Sequence, residues 1–316
     1  MNEFDIIQQY FKNLTNTRTD VELGIGDDCA LLKPVQNQLI AVSTDTLVSG
    51  KHFFSDVDPV SIGHKSLAVN LSDLAAMGAR PAWVSLALTL PEYNSDWLNK
   101  FSMGFGNLAK QFDLQLIGGD LTSGPTSITV TIQGLVDSSL VMKRSGAIAG
   151  DIICVSGLLG DAALALELIQ SQQPIELMQQ KALDFPDPRI DLGLAIAKIA
   201  TSCVDISDGL LADLGHICEA SACGAVVNLT EIPCSTVVSE VINLKDSWAL
   251  PLTGGDDYEL CFTINPKHLD QVIQIGKSLG VSVTSIGEIK TEAGVICLDN
   301  DSNVVENEYL GYKHFS

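Results

Sequence analysis

Positive charge is what this sequence has least of: 18 Lys and Arg stand against 39 Asp and Glu, a net charge of −21 over 316 residues. That balance argues against a dedicated nucleic-acid binder, because phosphate-backbone affinity needs clustered cations. Long apolar runs are missing too, and none approaches the roughly 18 residues a membrane-spanning helix requires. The opening MNEFDIIQQYFKNL has no basic region and no small-residue cleavage site, so no secretory signal is expected. CxxC pairs are absent, although Cys occurs at 29, 154, 203, 218, 223, 234, 261 and 297. Cys218 and Cys223 stand alone as C-x4-C, without the second pair that would make a zinc site. Reduced, mostly buried thiols in a cytoplasmic protein are the expectation.

The usual phosphate-binding and nucleophile motifs are also lacking. Gly276-Lys277-Ser278 ends as a P-loop would, but Gln271 stands where the pattern needs glycine. Gly276 to Gly280 spells G-x-S-x-G at an expected helix C-terminus, whereas a nucleophile elbow needs strand, turn and helix. Gly104, Gly106 and Ala109 fall inside a helical pattern rather than after a strand. Protein-kinase HRD and DFG triplets do not occur. Any phosphate chemistry must use another architecture.

What is present reads as a folded chain: 46% of residues are hydrophobic and 18% charged. Strand-like runs alternate with helical patterns throughout, an α/β signature, and the length suits two domains. The polar, glycine-bearing KRSGAIAGD at 143–151 separates them, giving domains over 1–140 and 150–316. Pro59 opens a helix over 59–77 in which Leu67, Leu71 and Leu74 share one stripe. A second helix near 96–111 and a third after Ser207, carrying Leu210, Leu214 and Ile217, follow the same logic. The runs 114–118 and 126–136 read as a hairpin-like end to the first domain.

The carboxylates are the informative feature. Asp27 and Asp28 sit in GIGDDCALL, and Asp45 ends LIAVSTD beside the hydroxyls of Ser43 and Thr44. Asp73 falls on a helix, off the leucine stripe. Asp120 follows Gly119 in LIGGDLT, Asp205 and Asp208 flank a strand-to-helix turn in VDISDGLL, and Asp256 and Asp257 precede a strand in GGDDYELCF. For any one Asp, a turn or helix cap is the ordinary alternative, and Asp208 suits a helix N-terminus well. Asp73 does not, because a mid-helix Asp gains little from capping. Several carboxylates at strand ends repel one another unless a hard cation intervenes, and oxygen donors with phosphate are what magnesium prefers. Arg144 is one of few cations beside a glycine loop, either a phosphate clamp or a plain surface charge. His52 by itself reads as a polar loop residue.

At these residues the chain resembles the thiamine-monophosphate kinase family. The matching segments are VELGIGDDCALL, AVSTDTLVSGKHF, NLSDLAAMGARPAW, LIGGDLT, KRSGAIAGD, DISDGLLADLGHI and GGDDYELCF, with GYKHF at the end. Individually weak, they are specific in this order, and they cover nearly the whole chain. The resemblance implies the two-domain fold of aminoimidazole-ribonucleotide synthetase and selenophosphate synthetase. Its N-terminal α/β domain joins its copy in a dimeric barrel, and its C-terminal α/β domain closes over a cleft. It implies transfer of a phosphoryl group from ATP to thiamine monophosphate, with several magnesium ions; a potassium requirement stays open.

Carried over by residue, the resemblance implies that Asp28, Ser43, Thr44, Asp45, Asp73, Asp120, Asp205 and Asp208 serve magnesium. Gly119, Asp120, Arg144 and Ser207 would face ATP, with Asp120 and Arg144 at the transfer itself. His52, Asp256 and Tyr312 would face thiamine monophosphate. The family usually has GGEDYEL, so Asp256 keeps the charge of that Glu with a shorter reach. Because the acceptor oxygen is already anionic, the expected mechanism is direct in-line transfer by positioning and charge neutralisation. Two other readings stay open. One is a sibling synthetase of the same fold, against which STDTLVSGKHF and a first Cys only at Cys29 speak. The other is a non-catalytic, acidic divalent-ion binding protein.

Overall fold

A computed structural model describes residues 2–33 and 36–305. The chain divides into two compact units, one of residues 1–74 and 79–139, the other of residues 75–78 and 140–316. Among the described residues no helix is long and apolar enough to cross a membrane.

The first unit opens with helix α1 (Glu3–Ile6), started by a reciprocal capping box between Asn2 and Asp5 and continued by a wider turn over Ile7–Phe11. A small ribbon, β1 (Val21–Leu23) with β2 (Leu31–Leu32), brackets the loop carrying Asp27 and Asp28. Then follow β3 (Gln38–Val48), α2 (Pro59–Ala76), β4 (Arg80–Leu90), α3 (Ser95–Gln111), β5 (Gln115–Ser123) and β6 (Ser127–Asp137). The four long strands form a sheet in the order β3-β6-β4-β5.

That order corrects one sequence expectation. Strands β5 and β6 are not a hairpin: β5 pairs parallel to β4, while β6 crosses back between β3 and β4, antiparallel to both. Ile128, Val130 and Ile132 explain the crossing, because a strand that buries all three fully belongs in the sheet's middle, not at its edge. Helix α2 buries Leu67, Leu71 and Leu74 as its spacing predicts, each worth about 1.5–3 kcal/mol of transfer free energy. Helices α2 and α3 meet backbone to backbone. A Cβ on Gly63 would lie 2.1 Å from the Phe101 carbonyl oxygen, and one on Gly104 would lie 1.9 Å from that of Val60. The glycines that mimic a nucleotide motif in α3 thus include a packing contact.

The second unit begins with β7 (Ile152–Ser156), α4 (Asp161–Gln170), α5 (Leu177–Asp184), α6 (Ile190–Ile196), β8 (Ala200–Asp205), α7 (Leu210–Ser221) and β9 (Gly224–Asn228). It continues through α8 (Thr236–Lys245), α9 (Ala249–Thr253), β10 (Leu260–Ile264), α10 (Leu269–Ser278), β11 (Val283–Lys290), β12 (Gly294–Leu298) and β13 (Val304–Val305). Among the described residues seven strands make one sheet, β13-β12-β9-β11-β7-β10-β8, in which only β9 and β12 run parallel. Leu210, Leu214 and Ile217 of α7 are fully buried, in one cluster with Ile153, Val204 and Cys261 of the strands. Burial also pushes the thiols of Cys154 and Cys218 up to about 12 and keeps them inert.

Candidate active site

In the first unit, strand alternation decides which groups meet. Ser43, Asp45 and Leu47 point to one face of β3, while Thr44 and Thr46 point to the other. On the first face the Ser43 hydroxyl donates to the carboxylate of Asp73, which reaches across from α2. The carboxyls of Asp45 and Asp73 also share a hydrogen bond. Burial, and then the charge of Asp73, push the Asp45 carboxyl up to about 7. Thr44 is not part of this group, because its hydroxyl bonds Thr131 of β6 at 2.9 Å on the opposite face.

Asp120 and Asp45 stand inside strands rather than at their ends. β5 runs on through Gly118 and Gly119, pairing Gly119 with Leu86 and Asp120 with Ala87. Gly119 has φ +151°, and a Cβ there would lie 1.8 Å from the Leu86 carbonyl oxygen, so no side chain fits. A cleft of about 690 Å³ lies against this strand. Asp27, Asp28, Gly118, Gly119 and Asp120 give it a polar side, and Phe4, Ile7, Phe11 and Leu88 an apolar one. The Asp27 carboxylate accepts the N–H of Asp28 at 2.9 Å, which shapes the loop. His52 closes the turn after β3, its Nδ1 accepting the Val48 N–H at 3.0 Å, which puts any proton of a neutral ring on Nε2.

The second unit gathers another set. Asp205 ends β8 and is nearly buried, whereas Ser207 is exposed in the turn that follows. Helix α7 starts only at Leu210, with Gly209 as a cap that offers no side chain, so Asp208 does not cap it. Asp213 serves that end instead: its Oδ2 accepts the N–H of Ser207 at 3.0 Å and of Asp208 at 3.1 Å. Burial pushes the Asp213 carboxyl up to about 6, while those two N–H groups and the Arg144 charge pull the other way. Arg144 itself is exposed.

The GGDDYEL segment lies beside that turn. Asp256 N–H donates to the Ser207 carbonyl and Tyr258 N–H to that of Ile206, each at 2.9 Å. Asp256 has φ +62°, and its carboxylate accepts the Tyr258 hydroxyl at 2.9 Å. The other two acids are structural. Asp257 holds the Gly160 N–H at 2.9 Å, and Glu259 is clasped by Arg189 through Nε at 2.7 Å and through a second nitrogen at 2.5 Å. Of the expected residues, Tyr312 lies outside those described. Asp213 and Tyr258 were missed from the sequence, although both fall inside matched segments. A smaller opening of about 410 Å³, lined by Ile152, Val226 and Glu288 among others, holds no expected residue.

Residues 26–136 match the N-terminal domain of AIR synthase related proteins, and residues 149–299 match the C-terminal domain. The thiamine-monophosphate kinase of Escherichia coli K12 is 45% identical over 99% of this chain and 98% of its own length. The chain belongs to the thiamine-monophosphate kinase family. A more distant family member, from Bacillus subtilis, is 32% identical over the full length of both chains. The crystal structure of the thiamine-monophosphate kinase from Stenotrophomonas maltophilia superposes with a TM-score of 0.88 at 44% identity, covering 96% of this chain and 98% of that one. The AaThiL complex with AMPPCP and TMP superposes at 0.79 and 29% identity, covering 92% of each. The hydrogenase maturation protein HypE of E. coli, at 19% identity and a TM-score of 0.81, shares the fold alone.

Proposed function

We propose that the chain transfers the γ-phosphoryl group of ATP to thiamine monophosphate, giving ADP and thiamine diphosphate. The observation that carries this reading is the full-length likeness to thiamine-monophosphate kinases, whose AaThiL relative is held with an ATP analogue and TMP. STDTLVSGKHF and GGDDYEL speak for the kinase over a sibling synthetase.

Magnesium fits the residues present. Two carboxyls in contact must share a proton or a cation, and Ser43, Asp45 and Asp73 offer only oxygen. Among the described residues no three His, Cys, Asp or Glu side chains gather as a metal cage. Magnesium needs no such cage, since one or two carboxylates with water and substrate phosphates usually suffice. Asp45 and Asp73 would hold it with Ser43 at the β3 edge of the sheet, and Asp28 and Asp120 would serve magnesium in the cleft against β5, at the opposite edge. Asp205 and Asp208 are the ligands proposed in the second unit, and Thr44, whose hydroxyl lies on the other face of β3 bonded to Thr131, would serve apart from the Asp45–Asp73 pair. Bound there, the ion would neutralise phosphate charge.

The other roles follow from chemistry. Gly119 lets backbone approach a phosphate, and exposed Arg144 and Ser207 offer it donors. Asp256 would face the cationic thiazolium, with Tyr312 as its aromatic partner and His52 presenting Nε2–H. The attacking oxygen comes already ionised on the acceptor's phosphate, so no general base is required. A homodimer is supported by β3, an edge strand that leaves Ile40 and Val42 54% and 62% exposed. We place the enzyme in the cytoplasm, with a potassium requirement left to the same assay.

A coupled ADP-release assay tests the reading with thiamine monophosphate, thiamine and an aminoimidazole precursor as competing acceptors. Magnesium-dependent ADP release with thiamine monophosphate is expected, and little with thiamine, whose neutral alcohol would need a base. Equal turnover with thiamine would refute the acceptor; release only with the aminoimidazole precursor would move the chain to the sibling reaction.

A further inference from the structure

Helix α7 has a start that needs explaining. Its cap, Gly209, contributes no side chain, and the two residues before it lie in a turn with Ser207 exposed. Turns of this kind usually leave their N–H groups to water. Here both go to one buried atom: Oδ2 of Asp213, 2% exposed, accepts from Ser207 at 3.0 Å and from Asp208 at 3.1 Å. A helix needs no more than its own first N–H groups capped. Asp213 reaches past them to the turn outside.

The turn is tied onward. The Ser207 carbonyl accepts Asp256 N–H and the Ile206 carbonyl accepts Tyr258 N–H, both at 2.9 Å, while Ile206 N–H donates to the Glu259 backbone carbonyl at 2.8 Å. One carboxylate therefore sets the backbone of Ser207 and Asp208, and the Ser207 carbonyl in turn sets Asp256. We propose that Asp213 is a positioning residue whose carboxylate holds the Ser207–Asp208 turn and, through the Ser207–Asp256 backbone bond, keeps the nucleotide-facing and acceptor-facing groups in register. The proposal rests on the reading that Ser207 faces nucleotide and Asp256 the acceptor. Asp213 is not among the residues assigned to either.

The carboxylate acts through an acceptor oxygen, so Asp213→Asn, whose carbonyl can accept the same two N–H groups, should keep both KM values within about threefold of wild type. Asp213→Ala releases both donors and should raise KM for MgATP and for the acceptor together, each about tenfold or more, with a smaller effect on kcat. A purely structural role would lower the melting temperature of the Ala variant and leave both KM values in place. Folded Asp213→Ala enzyme with wild-type KM values overturns the proposal, as does an Asn variant as impaired as the Ala variant. Hydrogen exchange on the unmodified chain decides the pin without any variant. The amides of Ser207 and Asp208 should exchange about a hundredfold slower than open-loop amides, and fast exchange at either overturns it. That measurement needs no turnover, so absence of kinase activity would sink the functional reading while leaving the pin to be judged separately.

Discussion

Replacing Asp73 with Asn should abolish most activity and, without magnesium, make the protein more stable near neutral pH. The reasoning starts from the Asp45 carboxyl, which burial and the Asp73 charge raise from an ordinary 3.8 to about 7. Between those values the folded chain keeps a proton that the unfolded chain has lost. Stability therefore falls as pH rises through the window from about 4 to about 7, and flattens above it. The limiting slope for one proton is about 1.4 kcal/mol per pH unit. Because the site is partly open to water, screening holds the penalty to about 1–2 kcal/mol at about pH 8. Asn keeps the shape of Asp73 and a group able to bond Ser43, but removes the like charge. Its gain should be about 1 kcal/mol at about pH 8, a rise of roughly 2–5 °C in melting temperature, shrinking to nothing near about pH 4.

The assay is a set of thermal melts of wild type and Asp73→Asn at about pH 5, 6.5 and 8, in chelator and then in excess magnesium. Asp213 and Asp257 also have raised carboxyls, but both variants share them and their effect cancels in the difference. Magnesium should stabilise wild type at the higher pH and should do much less for the Asn variant, because half of its carboxylate pair is gone. An Asn variant less stable than wild type at about pH 8, or one stabilised equally by magnesium, would refute the charge argument. Wild-type turnover in that variant at limiting magnesium would refute the metal role.

Tyr258→Phe deletes only the hydroxyl that Asp256 accepts at 2.9 Å. It should raise KM for thiamine monophosphate by about three- to tenfold and leave KM for ATP unchanged; an equal rise in both would remove the acceptor role of the pair. No phosphoenzyme is expected, since the Cys154, Cys203 and Cys218 thiols are buried and pushed up, and the matched segments hold no activated nucleophile. Isotope exchange between ATP and ADP without acceptor should therefore be absent, and robust exchange would demand a covalent step.

The helices that became α2, α3 and α7 were legible in the sequence because their signals are local. Pro59 sets the start of α2, and the spacing of Leu67, Leu71 and Leu74 sets its buried face. Strand partners were not, because pairing depends on residues far apart in the chain. Runs 114–118 and 126–136 look like neighbours, yet β6 leaves β5 to fill the sheet between β3 and β4. The same divide runs through the site. Each acid could be picked from its surroundings in the chain, since Asp after glycines or beside hydroxyls is chemically conspicuous. What each acid does depended on what it touches. Asp45 and Asp73, 28 positions apart, meet only because β3 packs its inner face on α2. Asp208 looks like the helix cap from its position, but the first turn of α7 starts later and the buried Asp213 takes the N–H groups. In GGDDYEL three adjacent-looking acids divide by contact: Glu259 to Arg189, Asp257 to Gly160, and Asp256 to Tyr258. Asp256 is the one proposed to face a substrate, since Asp257 and Glu259 are bound within the fold to a backbone N–H and to a half-buried guanidinium. Sequence pattern can therefore nominate acids for phosphate chemistry, while the contacts decide which of them remain for it.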